Sequence, residues 1–398
     1  MKTTCHLTII LCLIIIVSLL LSFYGKSCAE IITGAERTEM YLPLLEDKKV
    51  ALVANHTSRI KDKHLLDSLL SLKIDVVKVF TPEHGFRGKA DGGEYLYNYT
   101  DSLTALPIVS LYGRNRKPKP KDFEGIDIVI FDIQDVGARF YTYISTMHYV
   151  MEACAENNVD FLVLDRPNPN GFYVDGPVLD TACRSFVGMH PVPVVHGMTI
   201  AEYARMINGK RWLKDSLTCN MKYVKCENYT HKTYYELPVE PSPNLPNLRS
   251  VYLYPSLCFF EGTCMSVGRG TGFPFQVFGH PAYPDRGFIF TPRSIDGAAS
   301  NPKHVGKTCN GVDLSQIPLE FVRDNRRLVL DWLIDAYNSM ENKEDFFNAY
   351  FDKLAGSSDL REQVIAGKNK WVIRASWKKD IEAFKVTRKK YLLYKDFE

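Results

Sequence analysis

From Lys48 onward the chain alternates short apolar runs with stretches whose apolar positions recur every three or four residues. Residues 50–54, 76–80, 108–111, 126–131 and 161–164 are β-branched or apolar and are bounded by turn or polar residues. Such runs suit strands buried on both faces of a parallel sheet. Residues 64–72 and roughly 144–156 carry helical spacing, and Thr199-Ile200-Ala201-Glu202 opens a further helix. There Thr199 fits the N-cap and Glu202 the third helical position of a capping box. Strand and helix in alternation predict an open, doubly wound α/β sheet. The proline-dense segment 238–246 can be neither helix nor central strand and reads as an ordered loop near a domain boundary. Beyond it, 249–311 reads as loop-rich, while 319–340 and 371–394 have helical spacing. The predicted division is 30–248 and 249–398.

Composition changes this picture only at the start of the chain. Its 398 residues, 45% hydrophobic and 24% charged, are ample for two or three domains and exclude disorder or a collagen-like repeat. A net charge of +3 gives no basic footprint for nucleic acid. Lys2 and His6, however, precede an apolar run over 7–23, followed by Ser27 and Ala29. This is the pattern of a secretory signal cleaved after Ala29, and it predicts export. A retained anchor or a lipid on Cys28 are the alternatives, though Lys26 spoils a lipobox. Seven cysteines remain after the leader: 154, 183, 219, 226, 258, 264 and 309. Their spacings match no zinc pattern. Disulfides in an exported protein and scattered buried thiols are both open readings.

Ligands of open α/β sheets sit beyond the carboxyl ends of the strands. The residues there are Asn55-His56-Thr57-Ser58, Pro82-Glu83-His84-Gly85-Phe86-Arg87, Tyr112-Gly113-Arg114, Asp132-Ile133-Gln134-Asp135-Val136-Gly137-Ala138-Arg139 and Asp165-Arg166-Pro167-Asn168-Pro169-Asn170. Glu83, in a loop bounded by proline and glycine, suits general acid work if held rigid and partly desolvated. Asp91, Glu94, Asp132, Asp165, Asp175 and Glu202 are carboxylates that also serve as caps or ion-pair partners. Asp135 and Glu261 stand out among the carboxylates, the latter following Phe259-Phe260 and preceding Gly262-Thr263. Gly268-Arg269-Gly270-Thr271-Gly272 lacks the spacing of a dinucleotide or P-loop motif; Arg269 between glycines suits a carboxylate ligand better. His56, His84, His190 and His196 show no metal-ligand spacing, and no G-x-S-x-G marks a serine hydrolase. No cofactor or metal is expected. Asn55, Asn98 and Asn228 open N-x-T sequons, relevant only in a glycosylating pathway.

Taken together, VALVANHTS, FTPEHGFRG, DIQDVGARFYTYISTM, DRPNPNG, PSPNLPN, FFEGTCMSVGRGTGFPFQVFG and RKKYLLY resemble the exo-β-N-acetylmuramidase NamZ family of bacteria. The resemblance runs from about Lys48 to Tyr394. It implies a Rossmann-like N-terminal domain without a dinucleotide, a smaller α+β C-terminal domain and an active-site cleft between them. It also implies release of β-linked N-acetylmuramic acid (MurNAc) from the non-reducing end of peptidoglycan fragments such as MurNAc–GlcNAc, in cell-wall turnover, and so the periplasm as the destination of the exported chain. The family's catalytic glutamate falls on Glu83, with His84 and Arg87 in the same loop, and its E-G-T and G-R-G-T motifs fall on Glu261 and Arg269. On this reading Glu83 protonates the leaving oxygen, and either Glu261 activates water or the sugar's 2-acetamido group attacks. A carboxyl separation of about 5–5.5 Å would fit a covalent retaining route and about 6.5–9.5 Å an inverting one. Arg269, Arg139 and Arg166 are candidates for the lactyl carboxylate, Asn168 and Asn170 for sugar hydroxyls or the acetamido group, and Tyr141 with Tyr143 for an aromatic platform. Asn55 and Asp135 complete the candidate binding set. An exported muropeptide-binding protein without catalysis is the competing reading.

Overall fold

The computed structural model describes residues 29–83, 85–86 and 98–398. The expected leader up to Cys28, and His84, Arg87, Asp91 and Glu94, lie outside them. Each apolar run predicted above becomes a strand: β1 (Val50–Ala54), β2 (Val76–Thr81), β4 (Pro107–Ser110), β5 (Ile128–Asp132) and β6 (Asp160–Leu164). A two-residue edge strand, β3 (Tyr99–Thr100), and β7 (Met221–Val224) complete a seven-stranded sheet ordered β3-β4-β2-β1-β5-β6-β7. All neighbours are parallel except β3, which runs antiparallel to β4. Without β3 this is the strand order of a Rossmann-type sheet, reversing direction between β1 and β5.

Burial on both faces explains why the strands read as unbroken apolar runs. Val50, Leu52, Ile128, Ile130, Leu162 and Leu164 enter one core, against α1 (Thr38–Leu45) and α2 (Leu65–Ser71). Their alternates Ala51, Val53, Val129, Phe131, Phe161 and Val163 enter the other, larger core. That core also takes α3 (Tyr143–Asn157), α4 (Ile200–Gly209) and much of the chain beyond residue 250. The capping box of α4 forms as expected: Thr199 N–H donates to Glu202 at 2.9 Å, and Thr199 Oγ1 accepts from Glu202 N–H.

In the second half the structure adds detail to the loop-rich and helical stretches expected there. The stretch 249–311 opens on a helix, α5 (Leu248–Leu257), capped by Asn247, whose side chain accepts from Ser250 N–H at 2.9 Å. Pro255 inside it removes the bond that the Val251 carbonyl would otherwise accept, and Asn170 Nδ2 donates to that carbonyl instead, at 3.2 Å. The stretch 319–340 is two helices, α6 (Leu319–Asn325) and α7 (Leu330–Ser339), because Arg326 turns left-handed (φ 47°) between them. A small antiparallel sheet, β8 (Val277–His280), β9 (Ile289–Phe290) and β10 (Cys309–Asp313), and helices α8 (Phe351–Ala355), α9 (Asp359–Ile365) and α10 (Lys370–Lys389) make up the rest.

After α10 the chain returns to the first sheet. Tyr394 O–H donates to Asp165 at 2.6 Å, and Leu393 N–H donates to Glu202 at 2.8 Å. His231 N–H donates to the Lys395 carbonyl, and buried Arg388 donates to the Gly197 carbonyl and to Asp396. The seven described cysteines are free thiols. Among the described residues no helix is long and apolar enough to cross a membrane.

Candidate active site

Glu83 stands at the carboxyl end of β2, where Pro82 stops the strand and Gly85 turns the chain at φ 73°. Thr142 Oγ1, just before α3, donates to its Oε2 at 3.2 Å. The Tyr112 hydroxyl, beyond β4, stands beside it in the same cavity, of about 940 Å³. Burial, reinforced by the Glu83 charge, pushes the Tyr112 phenol well above its ordinary range, so it stays protonated. One hydroxyl thus bonds the carboxyl and a second lies close by.

Tyr141, Tyr143, Tyr254 and Phe275 line that cavity together with the strap 296–302. Glu261 enters from the turn Cys258–Gly262. Arg269 Nε donates to Glu261 Oε1 at 3.1 Å, and its guanidinium lies 5.1 Å over the Phe275 ring. Burial, the largest single influence, lowers the pKa of Arg269, but the Glu261 charge and hydrogen bond act with the neighbouring Tyr254 and Cys258 to make the net shift upward, so the arginine is held charged. The Lys303 ammonium donates to the carbonyls of Phe260, Glu261 and Thr263 at 2.9, 3.0 and 2.6 Å, clamping the turn that carries Glu261. A second lobe of about 290 Å³ shares Glu83, Glu261, Arg269, Tyr254 and Tyr350 and reaches Arg116 and Lys353.

The structure brings Glu83, Glu261, Arg269, Tyr141 and Tyr143 to one cavity. The other described candidates direct their polar atoms into the protein. Asn55 is fully buried, with Oδ1 accepting from Thr57 and Nδ2 donating to the Tyr143 hydroxyl at 3.1 Å. Arg139 donates to four carbonyls, of Pro177, Val192, Leu354 and Ala355, at 2.7–2.8 Å. Arg166 forms a buried pair with Asp132, its Nε 2.6 Å from Oδ1. Asn168 donates to the Met198 carbonyl and accepts from Asn170 N–H, while Asn170 Nδ2 bridges the Val136 and Val251 carbonyls. These side chains therefore brace the strand-end loops instead of lining the cavity.

Asp135 is buried in the same layer. Its Oδ2 accepts from Gly137 N–H at 2.6 Å, and burial pushes its carboxyl up to about 7 despite that bond. Gly137 (φ 78°) is required there, since a Cβ would fall 2.3 Å from the Asn168 side chain. His196 Nε2 lies 4.0 Å from Asp135, and burial drives its ring down to about 3, so it is neutral. Among the described residues no group of three His, Cys, Asp or Glu side chains is placed to hold a metal ion.

Several lining residues carry no sequence signal. Tyr112 stands at a strand end and is legible in principle, whereas Tyr254, Tyr350 and Lys353 come from α5 and from around α8, far from any strand-end motif.

Two carboxylates in one cavity, one bonded by a threonine hydroxyl and one by an arginine, at the carboxyl edge of a Rossmann-type sheet define an α/β protein equipped for acid–base chemistry. Comparison with known proteins specifies it further. Residues 50–249 match the N-terminal model of exo-β-N-acetylmuramidase NamZ, and residues 252–394 match its C-terminal model. The peptidoglycan β-N-acetylmuramidase NamZ of Bacillus subtilis (strain 168) is 38% identical over 376 residues, covering 89% of each chain. A crystal structure of a DUF1343 family protein from Bacteroides fragilis NCTC 9343 superposes with a TM-score of 0.86 at 49% identity, over 92% of this chain and 100% of its own. A second DUF1343 family protein from that strain gives 0.72 at 32% identity, over 92% and 99%. The chain belongs to the NamZ family.

Proposed function

We propose that this protein is an exo-acting glycoside hydrolase that releases β-linked MurNAc from the non-reducing end of peptidoglycan fragments, outside the cytoplasm. The observation that carries the reading is the position of Glu83, a carboxyl that accepts from Thr142, with the Tyr112 hydroxyl beside it, in a cavity that Glu261 also enters. The relative from Bacillus subtilis, by its name a peptidoglycan β-N-acetylmuramidase, supports the substrate class. The apolar leader over 7–23 supports export.

In this mechanism Thr142 and Tyr112 orient Glu83 toward the glycosidic oxygen, and Glu83 donates its proton as the bond to the anomeric carbon breaks. Tyr141 and Tyr254 present aromatic surface to the sugar ring. Glu261 is the second group, placed to take a proton from water or to steady the 2-acetamido nitrogen during attack by its carbonyl. Arg269 and the Lys303 clamp keep it in position. Exo action follows if the cavity admits one chain end and not a polymer in mid-chain.

Glu83→Gln tests the acid, because it preserves shape and removes the transferable proton. General acid catalysis contributes roughly 10²–10⁴-fold, so turnover of MurNAc–GlcNAc should fall at least a hundredfold at nearly unchanged KM. Activity surviving within about tenfold would remove Glu83 from that role. Mass analysis for free MurNAc after incubation with the wild type separates the hydrolase from a protein that only binds muropeptides.

A further inference from the structure

The cleft is asymmetric in charge. One end is the lobe that reaches Arg116 and Lys353. The other is a cavity of about 960 Å³ under the proline-rich segment, which shares Ser242, Leu245 and Ala298 with the central cavity. That second end is lined by Glu236, Glu240 and Asp296 and, among the described residues, by no lysine or arginine. Glu83 lines the central cavity and the cationic lobe but not the acidic end. A ligand with one terminal carboxylate meets opposite fields at the two ends, and this determines which way it lies.

The cations of the lobe differ in what already occupies them. Arg269 has Glu261 as its counter-ion, whereas neither Arg116 nor Lys353 has an ion-pair partner among the described residues. Both are exposed, yet Arg116 is not a free-swinging side chain. Its guanidinium lies 4.4 Å over the Phe186 ring, which stacks on Tyr149 at 12°. A guanidinium over an aromatic face can still offer N–H groups to a planar carboxylate. Lys353, at the start of α8, supplies a second positive charge to the same lobe.

Resting on the muramidase reading above, we propose that Arg116 and Lys353 form the subsite for the lactyl carboxylate of the terminal MurNAc. The sugar being released then sits in the lobe, its C1 toward Glu83. The leaving saccharide runs past Ser242 toward the acidic end. Arg269 serves Glu261 and does not read the lactyl group.

The test uses the full chain and a chromogenic aryl β-glycoside of MurNAc, as the free acid and as its lactyl methyl ester. Arg116→Ala/Lys353→Ala should raise KM for the acid by about tenfold or more with kcat within about twofold, and should leave the ester within about twofold. Wild type should prefer the acid by a similar factor. Equal losses on acid and ester, or no loss on either, overturn the assignment. If the wild type cleaves neither glycoside, the hydrolase reading fails, and calorimetry with free MurNAc and GlcNAc decides the subsite by itself. A wild-type preference for MurNAc that the double variant abolishes then supports it, and a preference the variant retains, or none in the wild type, overturns it.

Discussion

Arg139 stands where a substrate-binding arginine is expected, yet its role in the structure is to join distant parts of the chain. Arg139→Met tests this, because it keeps a long apolar stem and removes the guanidinium. Four charge-assisted bonds disappear, two to carbonyls of 177 and 192 and two to carbonyls of 354 and 355. The charge itself is costly to bury. Among the described residues no carboxylate pairs with it, and burial lowers its pKa to about 10. Methionine avoids that cost, and the Val192 carbonyl keeps the Leu179 N–H as a donor, so the net loss comes from the other three buried carbonyls, at about 1 kcal/mol each by the lower bound for such groups. A deficit of about 3 kcal/mol, at roughly 2 °C per kcal/mol for a chain this long, lowers Tm by about 6 °C. Calorimetric melting of purified protein measures it. KM of the folded variant for a MurNAc glycoside should stay within about threefold, since the side chain does not line the cavity. An unchanged Tm together with a KM raised tenfold would refute this reasoning and return Arg139 to the ligand.

Asp135→Asn probes the buried carboxyl beneath the site. Its folded pKa of about 7 lies above the unfolded value near 3.9, so the folded state holds the proton more tightly. The resulting destabilisation is absent below about pH 4, grows as pH rises and is complete above about 7. Each pH unit between those limits is worth roughly 1.4 kcal/mol. Denaturant titrations at pH 5 and 8 should therefore show the variant gaining on wild type by a few kcal/mol at the higher pH; parallel profiles would mean that Asp135 does not titrate there. Gly356→Ala places a Cβ 2.7 Å from the Arg139 guanidinium at φ 89°. It should cost about 2 kcal/mol and less when Arg139 is already methionine, and additivity of the two would disconnect them.

The sheet was legible because strands buried on both faces must be apolar throughout, and runs such as 50–54 and 161–164 have no other use. The capping box at Thr199 was legible because its chemistry is local. The helix at Leu248–Leu257 was not: prolines precede and interrupt it, and the donor that repairs the break is Asn170, in a loop distant along the sequence. At the site, strand-end position locates the edge of a sheet but not the direction of a side chain. Glu83 faces the cavity, while Arg139, Arg166, Asn168 and Asn170 occupy equivalent places and turn inward, because loops packed this tightly need their backbone groups satisfied. Arg116 and Lys353 had no motif to announce them. Only the fold brings α8 beside the loop after β4.

The return of residues 388–395 to the first sheet has a consequence for the order of folding. Asp165, Glu202 and the N–H of His231 find their partners near the far end of the chain, at Tyr394, Leu393 and Lys395. Contacts at such separation form after local ones, since the intervening loop must first be closed. The parallel sheet can therefore assemble early but stays unsealed until α10 has packed and delivered its tail. A fragment cut near residue 249 would expose those polar groups, and the two matched regions should melt as one cooperative unit.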